Sequence, residues 1–246
     1  MPLSYVLCAT PRSGSTLLCD LLADAGAGVP GSYFRPESAT TLAKEWGVAA
    51  RPAGDPLEGE RAFMAAVLRA GTSETGEFGF RLMWENLEAL CRRLEALYPT
   101  AKGDVGRFAA AFGTTHWVHL SRGDKLAQAV SLERARQSGL WHRHPDGSAR
   151  EQEGAQRPVA YDAGALAARG AQLRTHDAAW DRWFAANGVI PVRVGYEALA
   201  EDPAGAVAEV LRALGVDPGR AKGLRPRTAR LAGAESRVWA ERLRRR

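Results

Sequence analysis

The sequence predicts an α/β protein with a mostly parallel central sheet covered by helices on both faces. Two observations carry that prediction and a third bounds it. Short apolar runs at 4–10, 77–84, 116–120 and 189–196 alternate with stretches of helical periodicity. The first run hands over, through a Ser/Gly turn, to an amphipathic helix, which is the local form of a βα unit. The length of 246 residues, with 46% hydrophobic and 25% charged side chains, suits one large globular domain with a sizeable core.

Taken in order, Ser4 to Thr10 (SYVLCAT) reads as a buried strand and Pro11 to Ser15 as the turn after it. Thr16 to Ala25 puts Leu17, Leu18, Leu21 and Leu22 on one helical face and ends near Gly26. A Gly/Pro-rich connection from Gly26 to Pro36 leads to weak helices around 40–46 and 58–70. Glu77 to Trp84 reads as a strand that passes into a helix reaching about Leu97. His116 to Leu120 is the next buried strand, followed by Ser121-Arg122 and a helix from about Asp124 to Gln137. The polar, irregular stretch 141–158 predicts a mobile flap. A long helix over 163–187, a strand over 189–196 and a helix over 202–214 precede a basic tail. The chain shows no internal repeat, and 1–246 is read as a single domain.

The net charge of +5 is not gathered into one run, apart from Arg244-Arg245-Arg246. An excess of this kind suits an anionic small molecule, and no nucleic-acid recognition motif accompanies it. The three cysteines, Cys8, Cys19 and Cys91, are odd in number and lack metal-ligand spacing, which predicts a reducing compartment. With no basic leader and no apolar run near the length of a membrane span, a cytoplasmic location is expected.

In open α/β sheets, ligands sit beyond the carboxyl ends of the strands. Arg12, Arg81 and Arg122 lie at or just past such ends. Around the first, Ala9-Thr10-Pro11-Arg12-Ser13-Gly14-Ser15-Thr16 resembles a phosphate-binding loop but fails the triphosphatase pattern. That pattern requires Gly at position 9 and Lys at position 15. What remains is an anion cradle: backbone N–H groups from Ser13 to Leu17, the hydroxyls of Ser13, Ser15 and Thr16, the helix N-terminus and the Arg12 charge. At the end of the 116–120 strand, where a metal-dependent triphosphatase often places Asp, the chain reads Ser121-Arg122. Arg122 and Ser131, in the following helix, form a candidate second phosphate site.

The blocks PRSGSTLL, FGFRLMW and WVHLSRGDKLAQAVSLERARQSGLW, with YDAG and WDRWFAANGVIPVRVGYEALAED later, resemble the bacterial trehalose 2-sulfotransferase type of sulfotransferase. The resemblance runs from about Ser4 to Trp239. It implies a phosphate-loop-like three-layer fold and 3′-phosphoadenosine 5′-phosphosulfate (PAPS) as sulfuryl donor. It further implies a small hydroxylated acceptor, no metal requirement and a homodimer. By the same resemblance, Arg12, Ser13, Gly14, Ser15, Thr16 and Leu17 hold the 5′-phosphosulfate, Arg122 and Ser131 hold the 3′-phosphate, and Arg230 makes a further nucleotide contact. Arg81, where relatives often carry Lys, is placed to meet the sulfuryl oxygens. The alternatives are a kinase-like phosphotransferase with a phosphate loop, and a non-catalytic nucleotide-binding protein of the same fold.

One position departs from the pattern. The family's expected general base is a Glu directly before an aromatic pair, and here Ser32 precedes Tyr33-Phe34. Glu37 is the only carboxylate between Asp24 and Glu45 and is expected to take the role. His116, His119, His142 and His144 are further candidates, since imidazole titrates in the useful range. Tyr33, Phe34 and Trp84 are candidates to line the acceptor pocket.

Overall fold

The computed structural model describes residues 3–48, 55, 57–227 and 234–245. In chain order the elements are β1 (Ser4–Ala9), α1 (Ser15–Asp24), α2 (Pro36–Glu45), α3 (Glu58–Gly71), β2 (Phe78–Met83), α4 (Trp84–Leu97), α5 (Gly103–Phe112) and β3 (Thr115–Ser121). There follow α6 (Lys125–Ser138), β4 (Leu140–Arg143), β5 (Ala149–Gln152), α7 (Ala163–Ala186), β6 (Val192–Gly195), α8 (Tyr196–Glu201), α9 (Pro203–Ala213), a short 3₁₀ turn (Pro218–Ala221) and α10 (Ala234–Arg244).

The central sheet has the order β2-β1-β3-β6, and every pairing in it is parallel. The expected α/β architecture is therefore what the chain adopts. Side chains alternate across a strand, and β1 uses both faces. Tyr5, Leu7 and Ala9 pack with Leu18, Leu21 and Leu22 of α1 and with Val207, Val210 and Leu211 of α9. Val6 and Cys8 turn the other way, toward Phe63 of α3, Leu90 of α4, Phe108 of α5 and Trp180 of α7. Burial on both faces explains why the strand reads as an unbroken apolar run. A third cluster, off the sheet, joins Val130 of α6 and Leu166 of α7 to Trp239 of α10.

Four elements differ from the sequence expectation. Helix α5 fills a stretch that lacked a clear helical signal, and α10 lies in what read as a basic tail. The last strand is shorter than expected, since it starts at Val192 and gives way to α8 at Tyr196. Within the supposed irregular flap, β4 and β5 pair as an antiparallel hairpin. At its base, Gly139 ends α6 with φ +75, and a Cβ there would lie 2.4 Å from the Glu153 carbonyl oxygen. Only glycine lets the chain turn there while the hairpin's return strand passes so close.

Candidate active site

The carboxyl ends of β1, β2 and β3 deliver Arg12, Arg81 and Arg122 to one cavity of about 1310 Å³. The loop after β1 begins with Thr10 and Ser13, both fully buried. Gly14 precedes α1 with φ +92, and no side chain caps the helix. The first bond back along the helix is from Leu18 N–H to the Gly14 carbonyl at 3.1 Å. The N–H groups of Ser15, Thr16 and Leu17 are thus available to a ligand, as helix N-termini require. Arg12 itself has φ 63, a left-handed conformation that costs a non-glycine residue energy and recurs at functional loops.

Arg12 donates through Nε to Ser131 Oγ at 3.0 Å and through Nη1 to the Trp141 carbonyl at 2.6 Å. Burial, and then the Arg122 charge, lower its pKa to about 10, so it remains a cation at neutral pH. Arg122 donates to the Arg12 carbonyl at 3.4 Å and lies 4.4 Å over the ring of Tyr196. The proposed phosphate pair, Arg122 and Ser131, is thus joined through Arg12. Arg81 donates to Ser32 Oγ at 2.7 Å, to Thr16 Oγ1 at 2.8 Å and to Ser15 Oγ at 3.4 Å. Three guanidiniums facing one space repel one another, and an anion between them relieves that repulsion.

The site also holds donors with nothing to bind. Arg122 Nε, on the cavity lining, is buried without a hydrogen-bond partner, and so is Ser13 Oγ, in the loop but outside the lining. An unmet donor is costly, so Arg122 Nε marks a place for a ligand's oxygens. Beneath the loop, a polar network fixes its shape. Gln128 Nε2 donates to Thr10 Oγ1 at 3.0 Å and to the Pro11 carbonyl at 2.7 Å, while Thr10 Oγ1 donates to Asp177 Oδ1 at 3.0 Å. Asp177 is in turn ion-paired to Lys125.

The expected acceptor side is rearranged. Tyr33 and Phe34, expected to line a pocket, are buried in the core; Phe34 packs edge-on against Phe80 with ring centroids 5.0 Å apart. Trp84 is half-buried against Trp180, and it too lies outside the cavity lining. Glu37 reaches the cavity rim, but its side chain is 73% exposed and bonded to Arg35 at 3.0 Å. Its own backbone N–H and the Arg35 charge hold the carboxyl below its usual range. A general base calls for the opposite shift, and this exposed, ion-paired carboxylate lacks it. His119 is buried in β3, where burial lowers its pKa, and neither it nor His116 lines the cavity. His144 ends outside the lining as well. His142 is the histidine that meets the loop, with Nε2 3.1 Å from Thr16 Oγ1. Arg230 lies outside the described residues.

Sequence reasoning missed Tyr196, Glu197 and the Trp141 carbonyl. A Cβ on Gly14 would sit 2.5 Å from Tyr196 Cδ2, so that ring requires glycine in the loop. Glu197 accepts from Gly123 N–H at 3.1 Å and from Asp124 N–H at 3.2 Å, holding the turn that carries Arg122. For Tyr196 and Glu197 the signal available was their position, directly past the last strand.

This fold and cradle define an α/β protein of phosphate-loop type, with Ser15 and Ser121 where a nucleotide triphosphatase has its lysine and metal-binding Asp, and with arginines clustered around them. Residues 4–246 match the Stf0 sulphotransferase family, and the chain belongs to that family of enzymes. It is 34% identical over 259 residues to the trehalose 2-sulfotransferase of Mycobacterium tuberculosis (strain ATCC 35801 / TMC 107 / Erdman), across 98% of this chain and 94% of that protein. It is 32% identical over 262 residues to the trehalose 2-sulfotransferase of Mycolicibacterium smegmatis (strain ATCC 700084 / mc(2)155), across 99% and 95%. Among solved structures, the sulfotransferase domain from the Synechococcus PCC 7002 olefin synthase aligns over 99% of this chain and 94% of its own, with a TM-score of 0.47 and 16% identity. Among the described residues, no helix is long and apolar enough to cross a membrane.

Proposed function

We propose that this sulfotransferase moves a sulfuryl group from PAPS to a hydroxyl of a small polyhydroxylated acceptor. The observation that carries the reading is the convergence of Arg12, Arg81 and Arg122 on one cavity, where the buried Arg122 Nε lacks a partner. These residues fit a donor with phosphate at both the 5′ and 3′ positions. Arg12 and the N–H and hydroxyl groups of Ser13, Gly14, Ser15, Thr16 and Leu17 hold the 5′-phosphosulfate. Arg122 and Ser131 hold the 3′-phosphate.

The donor supplies the activated sulfuryl group, and the protein's work is positioning and charge stabilisation, by analogy with phosphoryl transfer. As the leaving phosphate gains charge, Arg12 and the loop N–H groups meet it without reorganising. Arg81, fixed by Ser32 and Thr16, presents its guanidinium to the transferring oxygens. The cavity lining also carries Glu85, Asn86, Gln156 and Arg157, polar groups suited to sugar hydroxyls. That lining, with the trehalose-modifying relatives, favours a sugar over a phenol. A reducing, cytoplasmic setting fits three free cysteines, two of them buried. We further propose a homodimer, which sedimentation of the purified protein tests.

The experiment is binding of adenosine 3′,5′-bisphosphate in the presence of a chelator. At a ligand concentration of 100 Kd, the folded state gains about 2.7 kcal/mol. A thermal shift that needs Mg²⁺ and ATP instead refutes the donor assignment.

A further inference from the structure

We propose that His142, carried into the cavity by the β4–β5 hairpin, takes the acceptor's proton in this chain. The proposal rests on the sulfuryl-transfer reading above. In the step, the acceptor O–H bond breaks and its proton passes to the imidazole. The acceptor oxygen forms a bond to sulfur as the bond from sulfur to the donor's bridging oxygen breaks. That electron pair leaves on the phosphate.

The residues at and near the expected position are poorly suited to the role. Ser32 Oγ accepts from Arg81 Nε at 2.7 Å, and a serine hydroxyl is a poor base. Glu37 faces solvent and is neutralised by Arg35. His176 lines the cavity from α7 and shows no bond to the loop. His142 alone among the histidines has a ring nitrogen against a loop side chain, Thr16 Oγ1.

The hydrogen bonds are compatible with the tautomer the step needs. Arg81 Nη1 donates to Thr16 Oγ1 at 2.8 Å, which leaves the Thr16 proton free to point at His142 Nε2, 3.1 Å away. In that tautomer Nε2 is the unprotonated nitrogen, and it faces Thr16. Glu151, the cross-strand partner of His142, sets Oε2 3.6 Å from the same nitrogen and stabilises the imidazolium once it forms.

The hairpin is tied to the anion site, which positions the ring. Arg12 Nη1 donates to the carbonyl of Trp141, the residue before His142, at 2.6 Å. Arg150 pairs with Asp20 of α1 at 2.8 Å, and Arg35 with Glu153 at 3.3 Å. The charges around the imidazole are Arg12 from the loop, Arg81 from β2, and Arg150 and Glu151 from β5. Burial, then Arg12, Arg81 and Arg150, lower the pKa of His142 to about 3 with no anion between these cations. An anionic donor offsets the Arg12 and Arg81 contributions but not that of burial, so donor binding raises the imidazole pKa toward the range of a useful base.

The test has two arms. Histidine NMR, assigned with His142→Gln, follows the imidazole titration with and without adenosine 3′,5′-bisphosphate. The expected result is titration at higher pH in the complex; an unmoved titration overturns the proposal. In the second arm, His142→Gln is expected to melt and bind bisphosphate like the parent while transfer from PAPS to trehalose falls by about 10²–10⁴. The acid limb of its rate profile should disappear as well. Transfer at the parent rate, or loss of bisphosphate binding along with activity, overturns the assignment. Failure of the parent to bind bisphosphate overturns the donor reading and this proposal together, which separates the two failures.

Discussion

Gly14→Ala probes the junction between the anion loop and the last strand. Two costs are readable in the structure. Position 14 has φ +92, where an L side chain is strained by about 1–2 kcal/mol. The new Cβ would also meet Tyr196 Cδ2 at 2.5 Å and Cε2 at 3.0 Å, an overpacking that costs about 1–3 kcal/mol. The ring cannot yield without consequence, because Arg122 lies 4.4 Å above it and Glu197, the next residue, holds the Gly123 N–H. Thermal melts are the assay, with each kcal/mol worth about 2–4 °C in a chain of this size. In a Tyr196→Ala background the clash is gone and only the backbone strain remains, so Gly14→Ala should cost about 1–2 kcal/mol there. Bisphosphate affinity should fall in Gly14→Ala and be less sensitive to it in the Tyr196→Ala background. Equal costs in both backgrounds refute the reasoning, since the ring contact would then contribute nothing.

Arg122→Ala should weaken adenosine 3′,5′-bisphosphate binding by about 1.5–3 kcal/mol while leaving the 5′-monophosphate nearly unaffected, as calorimetry with the two ligands would show. Asp177→Ala removes the acceptor for Thr10 and the partner of Lys125, and should lower stability in a denaturant titration by about 1–3 kcal/mol. Glu77 is buried, which pushes its carboxyl up, but bonds from Thr75, Ser73 and Arg220 bring it net below its ordinary 4.5. A carboxyl depressed in the folded state contributes stability above pH 4.5 that is lost as pH falls through its folded value. Glu77→Gln should therefore be less stable than the parent at pH 7, with the gap closing as the pH falls below 4.5, measured by melts across that range.

The parts of the fold set by local pattern were legible. The β1 strand, its turn and α1 follow one another in sequence, so apolar run, Ser/Gly turn and leucine face sufficed to read them. Arg12, Arg81 and Arg122 were legible as a group because parallel strands bring their carboxyl ends together. The hairpin was not, since the residues of β5 are exposed and charged and carry no alternation. It is held by ion pairs to Asp20 and Arg35, contacts that sequence spacing does not reveal. Helix α5 carries Gly103 and Gly106, which weaken its helical signal, yet Phe108 and Phe112 anchor it to the sheet. Tyr33 and Phe34 misled for a related reason: their neighbours in sequence belong to the site, while their rings belong to the aromatic cluster around Phe80. His142 was one of four histidine candidates in the sequence, and the fold of the hairpin against Thr16 is what sets it apart from the other three.

The central claim is that clustered arginines on a phosphate loop bind PAPS and direct its sulfuryl group to a sugar hydroxyl. Incubating the protein with PAPS and trehalose in the presence of a chelator, and weighing the sugar by mass spectrometry, tests it most directly. The account predicts a trehalose heavier by one SO₃ group, formed only when the donor carries its 3′-phosphate and lost in Arg12→Ala. Trehalose left unmodified by PAPS but phosphorylated by ATP with Mg²⁺ would contradict it.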